Sequence, residues 1–267
     1  MKLTVLTDNN TYIDQYYLGE PALSFFIEQD GKNILFDTGY SDVFIRNAEK
    51  LDIDLSLTDY IVFSHGHDDH TKGLSCFEKT DIPAAQIVAH PGCFDKKYVG
   101  DLYVGSPYSR TEMEEAFECN LTGKPFELCR NLWYLGEIPR VFGYENGTVG
   151  EVEADGTRTP DSLYDDTALA YKSKNGLFII TGCSHSGICN ICQWAKQVCG
   201  EEKICGIIGG FHLFGDDEKL AGTVKYFVEN KIEILYPCHC VSLAAKCRMM
   251  EKLNVKEVGV SLVLEIE

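Results

Sequence analysis

The stretch FSHGHDDHTKGL, Phe63 to Leu74, places three histidines and two aspartates in six consecutive positions of a chain that has seven histidines in all. It directly follows the apolar run Tyr60-Ile61-Val62-Phe63, which reads as a buried strand. Side chains alternate along a strand, so His65 and His67, two apart, reach the same side at its end. A helix opening near Asp69 or His70 projects those two residues into a neighbouring position, where a second metal ion can sit a few Å from the first. Two such ions can clamp the attacking and leaving oxygens of a hydrolysis. Neutral imidazoles and a carboxylate suit zinc best, with iron or manganese as alternatives.

Around this run the chain alternates strands and helices. Short strands are expected at Leu3–Thr7, Leu23–Glu28 and Asn33–Phe36, the last two joined by the turn Gln29-Asp30-Gly31-Lys32, with a helix over Ser41–Leu51. The second half repeats the rhythm. Strands at Ala168–Lys172 and Leu177–Thr181 precede a helix from about Gly187 to Val198; Ile204–Ile208 precedes a helix over Asp217–Asn230. Ile232–Tyr236 precedes a helix over Leu243–Leu253, and Val258–Ile266 closes as a strand. Two halves, each a meander followed by strand–helix units, imply an α/β fold of two packed mixed sheets with helices outside, a four-layer αββα sandwich. A single domain over 1–267 is expected, with residues 92–159, rich in Gly, Tyr and Glu, as an insertion or lid over a site.

Ser64-His65-Gly66-His67-Asp68-Asp69-His70 resembles the signature of the metallo-β-lactamase superfamily, whose fold is the αββα sandwich. The resemblance implies a metal-dependent hydrolase with two divalent ions. Further ligands are sought at later strand ends, and three histidines qualify: His185 in TGCSHSG, His212 in GGFHLFG and His239 in YPCHC. His185 is assigned with His65 and His67 to the first site, and His239 with Asp69 and His70 to the second. Many members of the superfamily carry a bridging aspartate where this chain has Cys183, whose thiol either ligates a metal or remains a protonated neighbour. His212 is either a ligand or a contact to ligand or substrate.

Asp37, in ILFDTG, either orients a ligand histidine or makes a simple turn. Asp8, Asn9 and Asn10 stand at another strand end, as substrate contacts or as a turn. His90, in IVAHPG, is either a substrate contact or structural, since the proline after it suggests a loop. Asp69 is also the candidate catalytic base. Lys96, Lys97 or Arg110 could assist an anionic substrate, though most of them are expected to be only solvated. Cys189 and Cys192 fall three apart on a helix face, so burial explains them better than a metal cluster does. No G-x-S-x-G elbow accompanies Ser184 and Ser186, which excludes a serine-nucleophile reading.

A longer set of segments (DNN at 8–10, LSFFIE at 23–28, ILFDTG at 34–39, AHPGCF at 89–94, TGCSHSGICN, GGFHL and PCHC) is similar to the 7,8-dihydropterin-6-methyl-4-(β-D-ribofuranosyl)aminobenzene-5′-phosphate synthases. That resemblance implies pterin and phosphate-ester chemistry. A non-catalytic metal- or ligand-binding protein on the same fold is the alternative that Cys183 suggests. Di-iron redox members of this fold typically place a glutamate where this chain has His67.

The formal net charge of −17, from 41 acidic and 24 basic residues, excludes a phosphate-backbone or anionic-membrane partner and favours a small-molecule substrate. No apolar run approaches the roughly 20 residues of a membrane span. Twelve cysteines in a 267-residue chain with no leader-like start are expected to be reduced thiols, and the chain reads as cytoplasmic.

Overall fold

The computed structural model describes residues 1–77, 85–215 and 217–267. A first, seven-stranded sheet takes β1 (Lys2–Thr7), β2 (Ser24–Gln29), β3 (Lys32–Phe36), β4 (Tyr60–Val62), β5 (Gln86–Ala89), β8 (Glu118–Leu121) and β17 (Val263–Glu265), in the order β17-β1-β2-β3-β4-β5-β8. A second sheet takes β9 (Phe126–Cys129), β10 (Leu132–Tyr134), β13 (Ala168–Ser173), β14 (Gly176–Thr181), β15 (Ile204–Gly209) and β16 (Ile234–Pro237), in the order β16-β15-β14-β13-β10-β9. Both mix parallel and antiparallel pairs.

Alternation along the strands builds the layers. Phe25 and Ile27 of β2 and Phe36 of β3 face Phe178 and Ile180 of β14 in the core between the sheets. Their neighbours Phe26 and Leu35 face outward, onto Phe44 and Ala48 of α1 (Val43–Lys50) and Met113 of α3 (Arg110–Ala116). On the far side, Leu177 and Ile179 pack beneath α4 (Ile188–Cys199), α5 (Glu218–Glu229) and α6 (Leu243–Met250). Strands covered on both faces must be apolar at nearly every position, which is why Ile34–Phe36 and Leu177–Ile180 are unbroken apolar runs. The result is the αββα sandwich.

Residues 92–159, expected as an insertion or lid, are shared among three sheets. Their middle part supplies β8 to the first sheet and β9 and β10 to the second. Their two ends pair instead into a third, four-stranded sheet of β6 (Lys96–Val99), β7 (Leu102–Tyr103), β11 (Glu151–Ala154) and β12 (Thr157–Pro160). The segment's short polar strands carry no local mark of which sheet they join. The closing strand is also shorter than the expected Val258–Ile266, because Ser261 adopts left-handed backbone (φ 78°) and breaks the extension. Among the described residues, no helix is long and apolar enough to cross a membrane.

Candidate metal centre

The C-terminal ends of β1, β3, β4, β14, β15 and β16 open on one edge of the sandwich, and each is followed by a residue that bears on the site. The motif after β4 turns into α2 (Asp68–Thr71). His67 is pinned to the third sheet's approach by a bridge to Gly105, and Asp68 N donates to Val104 O at 2.9 Å. Gly66 separates the first two histidines for a steric reason: a Cβ there would lie 2.0 Å from Cys93 O.

Two donor sets result. His65, His67 and His185 bring their ligand atoms within 4.8 Å of one another, and Asp69, His70 and His239 do the same. Cys183 joins His65 and His70 in one such group, and His239 and Cys240 in another, so its sulfur stands between the two sets. His65 Nε2 lies 3.0 Å from His67 Nδ1, and His70 Nε2 lies 3.2 Å from both His239 Nε2 and Cys183 Sγ. Both ring nitrogens of His185 and Nε2 of His67 are buried without a hydrogen-bond partner. Buried polar atoms are nearly always paired, so unpartnered imidazoles converging on one another fit a bound cation.

Electrostatics separates the sets. Burial first, and then the neighbouring histidines, hold His65 and His185 well below the ordinary imidazole range. Burial also lowers His67 to about 4. These three are neutral at pH 7, as ligation requires. His70 behaves oppositely: burial would lower its pKa, but the Asp69 and Asp37 carboxylates raise it to about 9. Burial likewise opposes ionisation of Asp69, yet the charge on His70 and the hydrogen bond from His239 bring its pKa below the ordinary carboxylate range.

The surrounding residues orient the donors. Asp37 is fully buried; its Oδ1 accepts from Ser64 N, and its Oδ2 from Ser64 Oγ and His70 Nδ1, all at 2.7 Å. It thereby turns His70 Nε2 toward the site, the carboxylate-to-histidine support typical of metal ligands. Asp8 takes the turn alternative: its side chain is fully buried, with Oδ2 accepting from Asn10 N and Oδ1 from His239 N, both at 2.9 Å. Asn9 Oδ1 lies 3.2 Å from His239 Nδ1, so it also serves that histidine. Asn10 borders a separate groove with His239 and Val258.

His90 takes the structural alternative. Its Nδ1 accepts from Gly92 N at 3.1 Å and its Nε2 faces Glu137 at 3.5 Å, which leaves it building the Pro91 turn. His212 packs its ring 4.5 Å from that of His185, with Nδ1 buried and unpartnered, but it joins none of the donor groups. Lys97 turns inward to Asp161 and Asp165, while exposed Lys96 and Arg110 pair with Glu153 and Glu114. Cys189 and Cys192 are buried in the core under the second sheet.

Sequence reasoning missed the support from Asp165, whose Oδ2 accepts from Gly66 N at 2.8 Å, and Asp166, whose Oδ2 accepts from Ser186 N at 2.9 Å. Two adjacent acids just before an apolar strand were the available signal. Asp37, Ser184, His212 and His239 all take left-handed backbone, with φ of 49–58°. Such strain in non-glycine residues costs about 1–3 kcal/mol each and gathers at functional sites.

A cavity of about 690 Å³ opens over the centre, lined by His67, Asp69, Lys72, Tyr40 and Tyr103 together with the third-sheet residues Val99 and Leu102. Lys72 Nζ lies 3.8 Å over the Tyr40 ring. The third sheet is thus one wall of this opening.

This sandwich, with its ligands at one strand edge, is the architecture of a metal-dependent enzyme family, and comparison with known proteins agrees. The metallo-beta-lactamase superfamily model matches residues 18–157, and an uncharacterized protein of Methanocaldococcus jannaschii is 32% identical over 254 residues, 94% of this chain and 95% of its own. The chain belongs to the metallo-β-lactamase superfamily. A 7,8-dihydropterin-6-methyl-4-(beta-D-ribofuranosyl)-aminobenzene-5′-phosphate synthase of the same organism is 28% identical over 270 residues, 95% of this chain and 92% of that one. A solved metal-dependent hydrolase of the beta-lactamase superfamily superposes with a TM-score of 0.86 at 30% identity, covering 100% of this chain and 99% of that one.

Proposed function

We propose that the protein is a metal-dependent hydrolase of a small-molecule phosphoester, with acyl esters or lactones as the next substrate class. The observation that carries this reading is the pair of adjacent donor sets, His65/His67/His185 and Asp69/His70/His239, beneath a cavity sized for a small molecule. Divalent ions, zinc foremost, would supply Lewis-acid activation of water and of an electrophilic oxygen when bound there.

The chain's own residues then do three things. Asp37, Asp8 and Asn9 hold His70 and His239 in one orientation, which spares the reorganisation a loose site would require. Asp69, ionised at neutral pH, can accept a proton at its carboxylate oxygens. Lys72, at the cavity wall beside Asp69, is placed to meet an anionic substrate group. The net charge of −17 supports a small molecule over a nucleic acid, and twelve free cysteines support a reducing compartment such as the cytoplasm.

A second reading, a synthase-like reaction in dihydropterin phosphate chemistry, draws on the 28% identical relative that bears such a name. Protein purified without oxygen, assayed for metal content and offered phosphomonoesters, phosphodiesters, lactones and thioesters, is expected to turn over a phosphoester and to lose that activity in His67→Ala. Metal-loaded protein inert to the whole panel overturns the hydrolase reading.

A further inference from the structure

We infer that Cys240 is a sulfur donor to the centre, acting with Cys183, so that the half of the site containing His239 takes its cation through thiolate as well as imidazole. This rests on the reading that the centre binds divalent metal. Cys183 follows β14 and Cys240 follows β16, with β15 between them. Adjacent strands lie about 4.8 Å apart, so the ends of β14 and β16 are separated by roughly 10 Å and side chains there would not ordinarily meet.

The end of β15 closes that gap. A Cβ on Gly210 would stand 2.5 Å from Cys240 Sγ and 3.4 Å from Cys183 Cα, so the space a side chain would fill holds the Cys240 sulfur instead. The ligand atoms of Cys183, His239 and Cys240 consequently lie within 4.8 Å of one another. His212 N donates to Cys240 Sγ at 3.3 Å, which fixes the sulfur beside the site. Cys183 Sγ lies 3.2 Å from His70 Nε2, tying the pair to the imidazoles. Cys238, two residues before Cys240, turns the other way into the core between the sheets.

On binding, each ligating thiol gives its proton to solvent as a metal–sulfur bond forms. Sulfur donors shift preference toward zinc or ferrous iron and away from magnesium or manganese.

Titration of the metal-free protein with cobalt(II), without oxygen, tests this. A near-ultraviolet sulfur-to-cobalt charge-transfer band is expected, weaker in Cys183→Ser and in Cys240→Ser and lost in the double variant, with the visible bands of imidazole-bound cobalt retained. Cobalt that binds without the band, or a band unchanged in the double variant, overturns the inference. Should the variants misfold, X-ray absorption of the zinc-loaded unsubstituted protein decides, with sulfur expected at about 2.3 Å and a purely nitrogen and oxygen shell refuting it. Turnover with a sulfur-free spectrum sinks this inference and leaves the hydrolase standing. A sulfur-bound metal without turnover does the reverse, and cobalt that does not bind at all overturns both.

Discussion

Lys97→Met probes how the third sheet holds the metal-site loop in place. Lys97 Nζ lies 2.7 Å from Asp161 Oδ2 and 2.9 Å from Asp165 Oδ1, and all three side chains are at most 6% exposed. Asp165 in turn accepts from Gly66 N, between His65 and His67. Burial alone would lower the Lys97 pKa, but the two carboxylates outweigh it and raise it above the ordinary lysine range. Methionine keeps the unbranched stem, one atom shorter, and removes the charge, leaving two buried carboxylates without their cation. Removing one partner of a buried ion pair costs about 3–5 kcal/mol. At about 2–4 °C per kcal/mol for a chain near this size, Tm should fall by roughly 6–20 °C.

The assay is thermal unfolding of the metal-free protein by circular dichroism, so that ligation does not mask the loss. The triple variant Lys97→Met, Asp161→Asn, Asp165→Asn should recover part of the deficit, because it removes the stranded charges as well. A single variant within about 1 kcal/mol of wild type, or a triple variant no more stable than the single one, would refute the reasoning.

Asp37→Asn keeps the shape but loses the carboxylate that orients His70; metal affinity should fall about 10–100-fold by titration while the far-ultraviolet spectrum is retained, and unchanged affinity would rule out the orienting role. Stripping the metals with a chelator should abolish activity and lower Tm, with about 4 kcal/mol of stabilisation returning when free metal stands a thousandfold above Kd; a Tm indifferent to metal would count against a native-state site. Burial, with Asp30 and Glu127 nearby, pushes the Cys129 thiol up to about 11. Its alkylation should therefore lag behind that of exposed Cys247 at neutral pH and accelerate about tenfold per pH unit up to about 11. The same shift has a sign for stability: the folded state holds this proton more tightly, so the contribution is complete below about 9 and is lost as pH rises toward 11. Peptide mapping after alkylation at several pH values checks the first part, and rapid labelling of Cys129 at pH 7 would contradict it.

The HGHDDH run was legible because a short apolar strand ending in closely spaced ligands is a local pattern, and alternation alone places His65 and His67 on one side. The pairing of His185 with those two, and of His239 with Asp69 and His70, could be argued from strand ends because parallel strands deliver their C-termini to one edge. The turn at Asp8 was legible, but its bond to His239 was not, because an acid at a strand end looks the same whether it faces solvent or accepts from a backbone N–H 231 residues away. Sequence could not choose between Cys238 and Cys240, because the approach of Cys240 to Cys183 depends on the missing side chain of Gly210, on a third strand.

By itself the sequence determined the αββα sandwich, through apolar runs covered on both faces, and the imidazole-rich metal chemistry of one sheet edge. Only the tertiary structure decided how residues 92–159 are shared among three sheets, that Lys97 is locked between Asp161 and Asp165 rather than facing a substrate, and that two sulfurs meet across β15. The first group follows from periodicity within a few residues. The second depends on which distant segments fill the same space, and the close packing of the folded chain settles that.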